Sequence, residues 1–444
     1  MTLVAIAVLT ACGDNLPPRG ELTIVGHSDI NGRGMNAAVA LADDVAYVGS
    51  RIDKKGIAIV DISDPARPTV VGEIGPPDEG LSGMSSRELR AIPEINLLVV
   101  LNLQCSPSLH GCASGAIEQE NLKFYDITNR RGPQLLGTYY VAAGERGTQR
   151  SPHEFYLWRD PVEPTRVIVL LAATSAPGLE ILEGSLGAPV QLTAWDPTQV
   201  AGFPTGLTNS ILHSVSASDD GRTIYLSHQT AGLYVADITG FIERGVSPQV
   251  KLLTPATDGL RFGVMGPHSA VPVPERDLLV VTEEIYPKPF GEGCPWGHLR
   301  IVDIADPAHL AVLGEYKLAE NDCLYDAPMT AYTAHNVTAT KGLALVTWYA
   351  GGLQVLDISD ATNPIRVAEF RPDPLPSVAV EDPGLGGSKI EMWSYPIIRD
   401  GLIYVVDSRN GLYILSYQGR YAEQIDERRF LEGNSNLGAY VPRR

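Results

Sequence analysis

Four of the nine histidines in this 444-residue chain stand at the head of similar short apolar runs: His153-Glu-Phe, His213-Ser-Val, His268-Ser-Ala and His335-Asn-Val. Neutral imidazoles gathered from neighbouring repeats would suit copper, iron or zinc, with carboxylates expected beside them. Glu154, Glu283, Glu284 and His228 lie at strand ends that should share the same space. Arg87 takes the matching position in an earlier repeat, while Asn36 and Ser394 take it in the first and last. The pattern assigns His153, His213, His268 and His335 as ligands of one transition-metal ion. Arg87 would hold an anionic substrate or oxyanion, and Glu154 or Glu283 would serve as base or supporting carboxylate. Metal-dependent oxidation of a small molecule is the reaction class that fits such a set. Repeat duplication could also copy a purely structural histidine, bonded only within its own repeat, although such a residue should then recur in every repeat. The pairs His213-Ser214 and His268-Ser269 are not nucleophile and base, because adjacent side chains on a strand face opposite ways.

The elements that must hold these residues are strands. A phrase of the form apolar-x-apolar-apolar-Asp-Ile recurs at Ile57–Asp61, Leu122–Asp126, Leu233–Asp237, Leu299–Asp303 and Leu353–Asp357, with a worn copy at Leu179–Glu183. Copies spaced roughly 50 to 65 residues apart indicate a repeat architecture. An apolar run such as Leu97–Leu101 or Leu278–Val281 precedes each phrase, and a proline such as Pro68, Pro133 or Pro364 introduces another run after it. Proline there fits a strand start at a sheet edge, and the Asp should accept hydrogen bonds from the turn that follows.

Four-stranded antiparallel units in series predict an all-β, seven-bladed β-propeller over residues 20–418. The last unit, Met392 to Tyr417, lacks a fourth strand of its own, and Glu21-Leu-Thr-Ile-Val-Gly26 resembles one. The N-terminal strand is therefore expected to close the ring, leaving 419–444 as a C-terminal tail or extra outer strand. The long insertions all fall in loops of one face, which is where binding and catalysis concentrate. Trp296, Trp348 and Trp393 would either line that mouth or pack in the core.

The phrase resembles that of the bacterial LVIVD-repeat proteins, over nearly all of Glu21 to Tyr417. The resemblance implies an exported propeller and assigns no reaction. The placing of the histidines is similar to that in selenium-binding protein/methanethiol oxidase, with its histidine-dependent copper centre. It is also similar to that in carotenoid cleavage oxygenases, with four histidines on iron. The local motifs of neither occur here, so both are analogies of position.

A net charge of −18 argues against a nucleic-acid partner, since phosphate binding needs clustered Lys and Arg. The apolar stretch Leu3 to Ala11 runs into Leu9-Thr10-Ala11-Cys12, which looks like a bacterial lipobox, so residues 1–12 read as a signal peptide with Cys12 as the lipidation site. A monomer anchored to the cell envelope through lipid, facing periplasm or exterior, is the expectation. A non-catalytic surface propeller binding a protein or glycan is the rival. Cys105, Cys112, Cys294 and Cys323 allow three pairings, of which 105–112 with 294–323 is the simplest in an oxidising compartment; free or metal-bound thiols are the alternative.

Overall fold

The computed structural model describes residues 20–76, 83–113, 119–141, 152–174, 178–184, 189–324 and 327–440, so the stretch expected to be a signal peptide, with Cys12, and the last four residues lie outside the described residues. The regular structure of the described chain is almost entirely strand, arranged as four sheets of four strands, one of five and one of eight. The eight-stranded sheet comprises two four-strand units, 36–74 and 84–140, joined where Ser50 meets Ser86. Among the described residues no helix is long and apolar enough to cross a membrane.

Each phrase forms the third strand of its unit, at Ile57–Asp61, Asn121–Asp126, Leu179–Gly184, Leu233–Asp237, Leu299–Asp303 and Leu353–Asp357. These strands are buried nearly throughout, which is why they read as almost continuous apolar runs. The aspartates act as the turn chemistry requires. Asp61, Asp126, Asp237, Asp303 and Asp357 each accept, through Oδ1, the backbone N–H two residues on, at 2.7–2.9 Å. Such a side chain satisfies a donor that the ladder abandons at the strand end.

Successive sheets pack face to face through apolar layers. Tyr156, Trp158, Ile168 and Leu170 of one sheet meet Val215, Ala217, Ile224 and Leu226 of the next, all nearly inaccessible. Each such aliphatic side chain stabilises the fold by roughly 1.5–3 kcal/mol. Both expected disulfides are formed, Cys105–Cys112 and Cys294–Cys323.

The N-terminal strand Glu21–Ser28 pairs with Gly411–Gln418, from Glu21 opposite Gln418 to Ser28 opposite Leu412, and so supplies the fourth strand of the last unit. The residues beyond Gln418 do not extend that outer edge. Phe430–Leu431 instead pairs with Ile397–Arg399, the first strand of the unit, on the side away from the outer strands. The chain then reaches another sheet, where Leu157 N–H donates to Asn434 O at 3.1 Å and Asn436 N–H to Leu157 O at 3.3 Å. An edge that could have accepted only solvent is thereby paired.

The turn Asp219-Asp220-Gly221 shows how tightly neighbouring units fit. Gly221 has φ +73°, and a Cβ there would lie 2.5 Å from the Trp158 ring. The Gly221→Ala variant should lose about 1–3 kcal/mol from strain and overpacking together. Gly75→Ala, where nothing lies within 4 Å, should stay within about 0.5 kcal/mol of wild type. Urea unfolding midpoints for the two variants check this.

Candidate metal centre

Register places three of the histidines alike. The backbone N–H groups of His213, His268 and His335 donate to Ser227, Thr282 and Thr347 at 2.9, 2.7 and 2.9 Å. In each case the acceptor is the last residue of the second strand of the same unit. His153 arrives differently. Pro152 pairs with Ala173 and Glu154 with Ala172, so His153 is the extra residue of a bulge, a device that re-aims a side chain. The rings form one continuous stack of mutually tilted planes, 44–49° between neighbours, with centroids 4.1 Å apart for His153–His213 and 4.0 Å for both His213–His268 and His268–His335.

Glu284 enters this stack from the loop that follows the strand Leu278–Thr282. Its Oε2 lies 3.5 Å from His268 Nε2 and 3.9 Å from His213 Nε2, and its Oε1 lies 3.2 Å from His335 Nε2. The hydroxyl of Tyr349 donates to Oε1, and Tyr286 sits 3.3 Å beyond it, hydroxyl to hydroxyl. His335 Nδ1 bonds the carbonyl of Trp393 at 2.6 Å. A carbonyl only accepts, so Nδ1 carries the proton and Nε2 faces the carboxylate. His213 Nδ1 and both ring nitrogens of His268 are buried without a hydrogen-bond partner. Buried polar atoms left in that condition call for a ligand or another explanation.

His213, His268 and Glu284 each offer one atom within 4.8 Å of the other two. Ligands bound at about 2.1 Å to one ion lie at most about 4.2 Å apart, so a small closure completes the set. The donors brought together are therefore two imidazoles and a carboxylate, with His335 at its second oxygen and His153 next along the stack. The electrostatics match. Burial lowers His213 to about 4, with Glu284 offsetting only part of the effect. Burial, and then the neighbouring imidazole of His213, holds His268 and His153 well below the usual range. These rings are neutral near pH 7, with lone pairs available for a cation. Burial alone would raise Glu284, but His335, His213 and the Tyr349 hydroxyl outweigh it and bring the group to about 2, so it is an anion.

The remaining expected residues divide. Glu283, expected as a base, turns the opposite way from Glu284. Its carboxylate accepts from the N–H groups of Val264 and Met265 at 2.7 and 2.9 Å and pairs with Arg300 at 3.3 Å, which makes it a clamp on the 263–265 loop. Adjacent residues at a strand end face opposite sides, and Glu284 has the inward side. His228 packs edge-on against Phe203, 5.0 Å between centroids, and does not join the stack. Trp348 is core, whereas Trp296 and Trp393 cluster with Tyr349 near the histidines. Asn36 bonds Arg33 and Ser408, tying the first unit to the last.

Glu154 lies in a separate buried group, where Tyr395 donates to its Oε1 at 2.5 Å. Burial, and then the nearby Glu88, pushes it up to about 8, against the opposing pull of Tyr395 and Arg90. It is thus protonated at pH 7 in the folded protein and ionised in the unfolded chain. Its raised value favours folding below the ordinary glutamate range, and that contribution is lost as pH climbs toward 8. Glu154→Gln, which keeps a neutral carboxamide there, should gain stability relative to wild type as pH rises from 5 to 9. Denaturant midpoints at pH 5, 7 and 9 measure the widening gap.

No protein among the curated ones matches the chain. The family profile described as the LVIVD repeat does match, over residues 33–74, 294–317 and 333–371. These stretches contain the phrase strands Ile57–Asp61, Leu299–Asp303 and Leu353–Asp357 together with the outer strand after each. The chain carries LVIVD repeats in those three stretches.

Proposed function

We propose that this protein is a seven-bladed propeller holding a transition-metal ion at its axial mouth, and that it serves a metal-dependent oxidation of a small molecule. The observation that carries the reading is the orphaned set of buried imidazole nitrogens around an anionic Glu284. His213, His268 and Glu284 would be the ligands, with His335 or His153 completing the shell. A copper, iron or zinc ion would supply Lewis acidity there, and copper or iron could also exchange electrons. Tyr349 orients the carboxylate through its hydroxyl, and the Trp393 carbonyl fixes the His335 tautomer. Supporting a closed ring, the first unit bonds the last where Asn36 N–H donates to Ser408 O at 2.7 Å. The N-terminal strand also lies in the last unit's sheet.

Elemental analysis after expression with each metal tests the centre. Wild type should hold close to one ion per chain. The His213→Ala, His268→Ala double variant should hold none, and Glu284→Gln should bind at least about tenfold more weakly, in keeping with the loss of a charged ligand. No metal in the wild type would overturn the reading in favour of non-catalytic recognition of a protein or glycan.

We further infer an extracytoplasmic location, anchored through lipid on Cys12. The Leu-Thr-Ala-Cys sequence and the pairing of all four other cysteines support it. Cys12→Ala should shift the protein from the membrane pellet to the soluble fraction of a bacterial host. Unchanged fractionation would refute the anchor.

A further inference from the structure

We propose that Arg87 binds the carboxylate group of a small organic acid beside the histidine stack. The proposal deepens the metal-centre reading by naming the ligand class, and rests on that reading only for which end of the ligand meets the histidines.

Arg87, like His153, is delivered by a bulge. Ser86 pairs with Asn102 and Glu88 with Leu101, so Arg87 is the residue left over in the strand Met84–Ile92. Two inner strands thus break their ladders at the same level, each extruding a residue with binding chemistry. The Arg87 guanidinium lies over the Trp393 ring, 5.5 Å from its centroid. That ring is also the one 5.8 Å from His335, which places the cation at the edge of the stack.

The comparison with Arg51 is decisive. Arg51 also lies over Trp393, at 5.3 Å, but its two terminal nitrogens are already paired, with Glu391 at 2.9 Å, Asp382 at 3.7 Å and His110 at 2.7 Å. Nearby Arg90 takes Glu88 at 3.1 Å. Among the described residues Arg87 has neither a hydrogen bond nor an ion pair. A part-buried guanidinium beside a second cation, with the local carboxylates already committed, is costly unless an anion joins it. Burial, and then the charge of Arg51, lowers Arg87 below the usual arginine range, and the charge of Arg87 helps keep His153 and His213 neutral. One unpaired fork on an aromatic face suits a planar singly charged carboxylate, which it can bind through two parallel hydrogen bonds. A phosphate or sulfate dianion would call for a second free cation, and Arg51 is taken.

Calorimetric titration at fixed ionic strength tests this on the full chain, both metal-stripped and metal-loaded, using acetate and glycolate against sulfate and phosphate. Saturable binding of acetate or glycolate is expected. It should weaken at least about tenfold in Arg87→Gln, as the loss of a charge-assisted pair implies, and recover in part in Arg87→Lys. Metal content should stay unchanged in both variants. Equal carboxylate binding in wild type and Arg87→Gln, no binding at all, or binding of sulfate or phosphate alone would overturn the proposal. Carboxylate binding by a chain that takes up no metal would support Arg87 and refute the metal centre alone. Should Arg87→Gln unfold, Arg87→Lys carries the test, since it keeps the charge but loses the fork.

Discussion

An ionised carboxylate set among buried imidazoles is the constraint on which the histidine site depends. Glu284 could not stay charged in that position without His335, His213 and Tyr349. His213 and His268, for their part, are kept from protonation chiefly by burial. The arrangement sets an anion held by Tyr349 beside the ring nitrogens of His213 and His268, and desolvation strengthens the pull of both on a cation. Water would weaken each of them, so the sheets must deliver these groups into a dry interior.

The sheets do so through register. Three histidines reach the same height because each N–H bonds the end of its unit's second strand. The two bulges at Arg87 and His153 add the residues that a regular ladder would have turned elsewhere. Below them a second polar group, Glu154 with Tyr395, Glu88 and Arg90, occupies the interior in neutral or paired form. The C-terminal segment then bonds the first strands of two sheets, from Arg399 to Leu157. Rigid strands thereby hold the site within narrow limits while loops decorate it.

Much of this was legible in the residues. The phrase strands, the turn aspartates, the pairing of the N-terminal strand and both disulfides follow from spacing and composition. So does the equivalence of His213, His268 and His335, since repeats that share a register must place equivalent residues alike. What escaped was phase and path. Glu283 and Glu284 look interchangeable, and which one faces inward depends on where one strand stops. Tyr349 comes from a loop whose course is set by contacts between distant units, with no local signal beyond its positive φ of 39°, which only coordinates reveal.

The sequence by itself determined the strands, their order, the repeat that stacks them and the identity of the histidines, because hydrophobic period and turn chemistry are local properties. Only the tertiary structure decided that Glu284 and not Glu283 joins them, that His153 and Arg87 are thrust inward by bulges, and that the C-terminal residues turn to the inner edge. Those outcomes depend on one-residue shifts of register and on long-range pairing, which no period along the chain encodes.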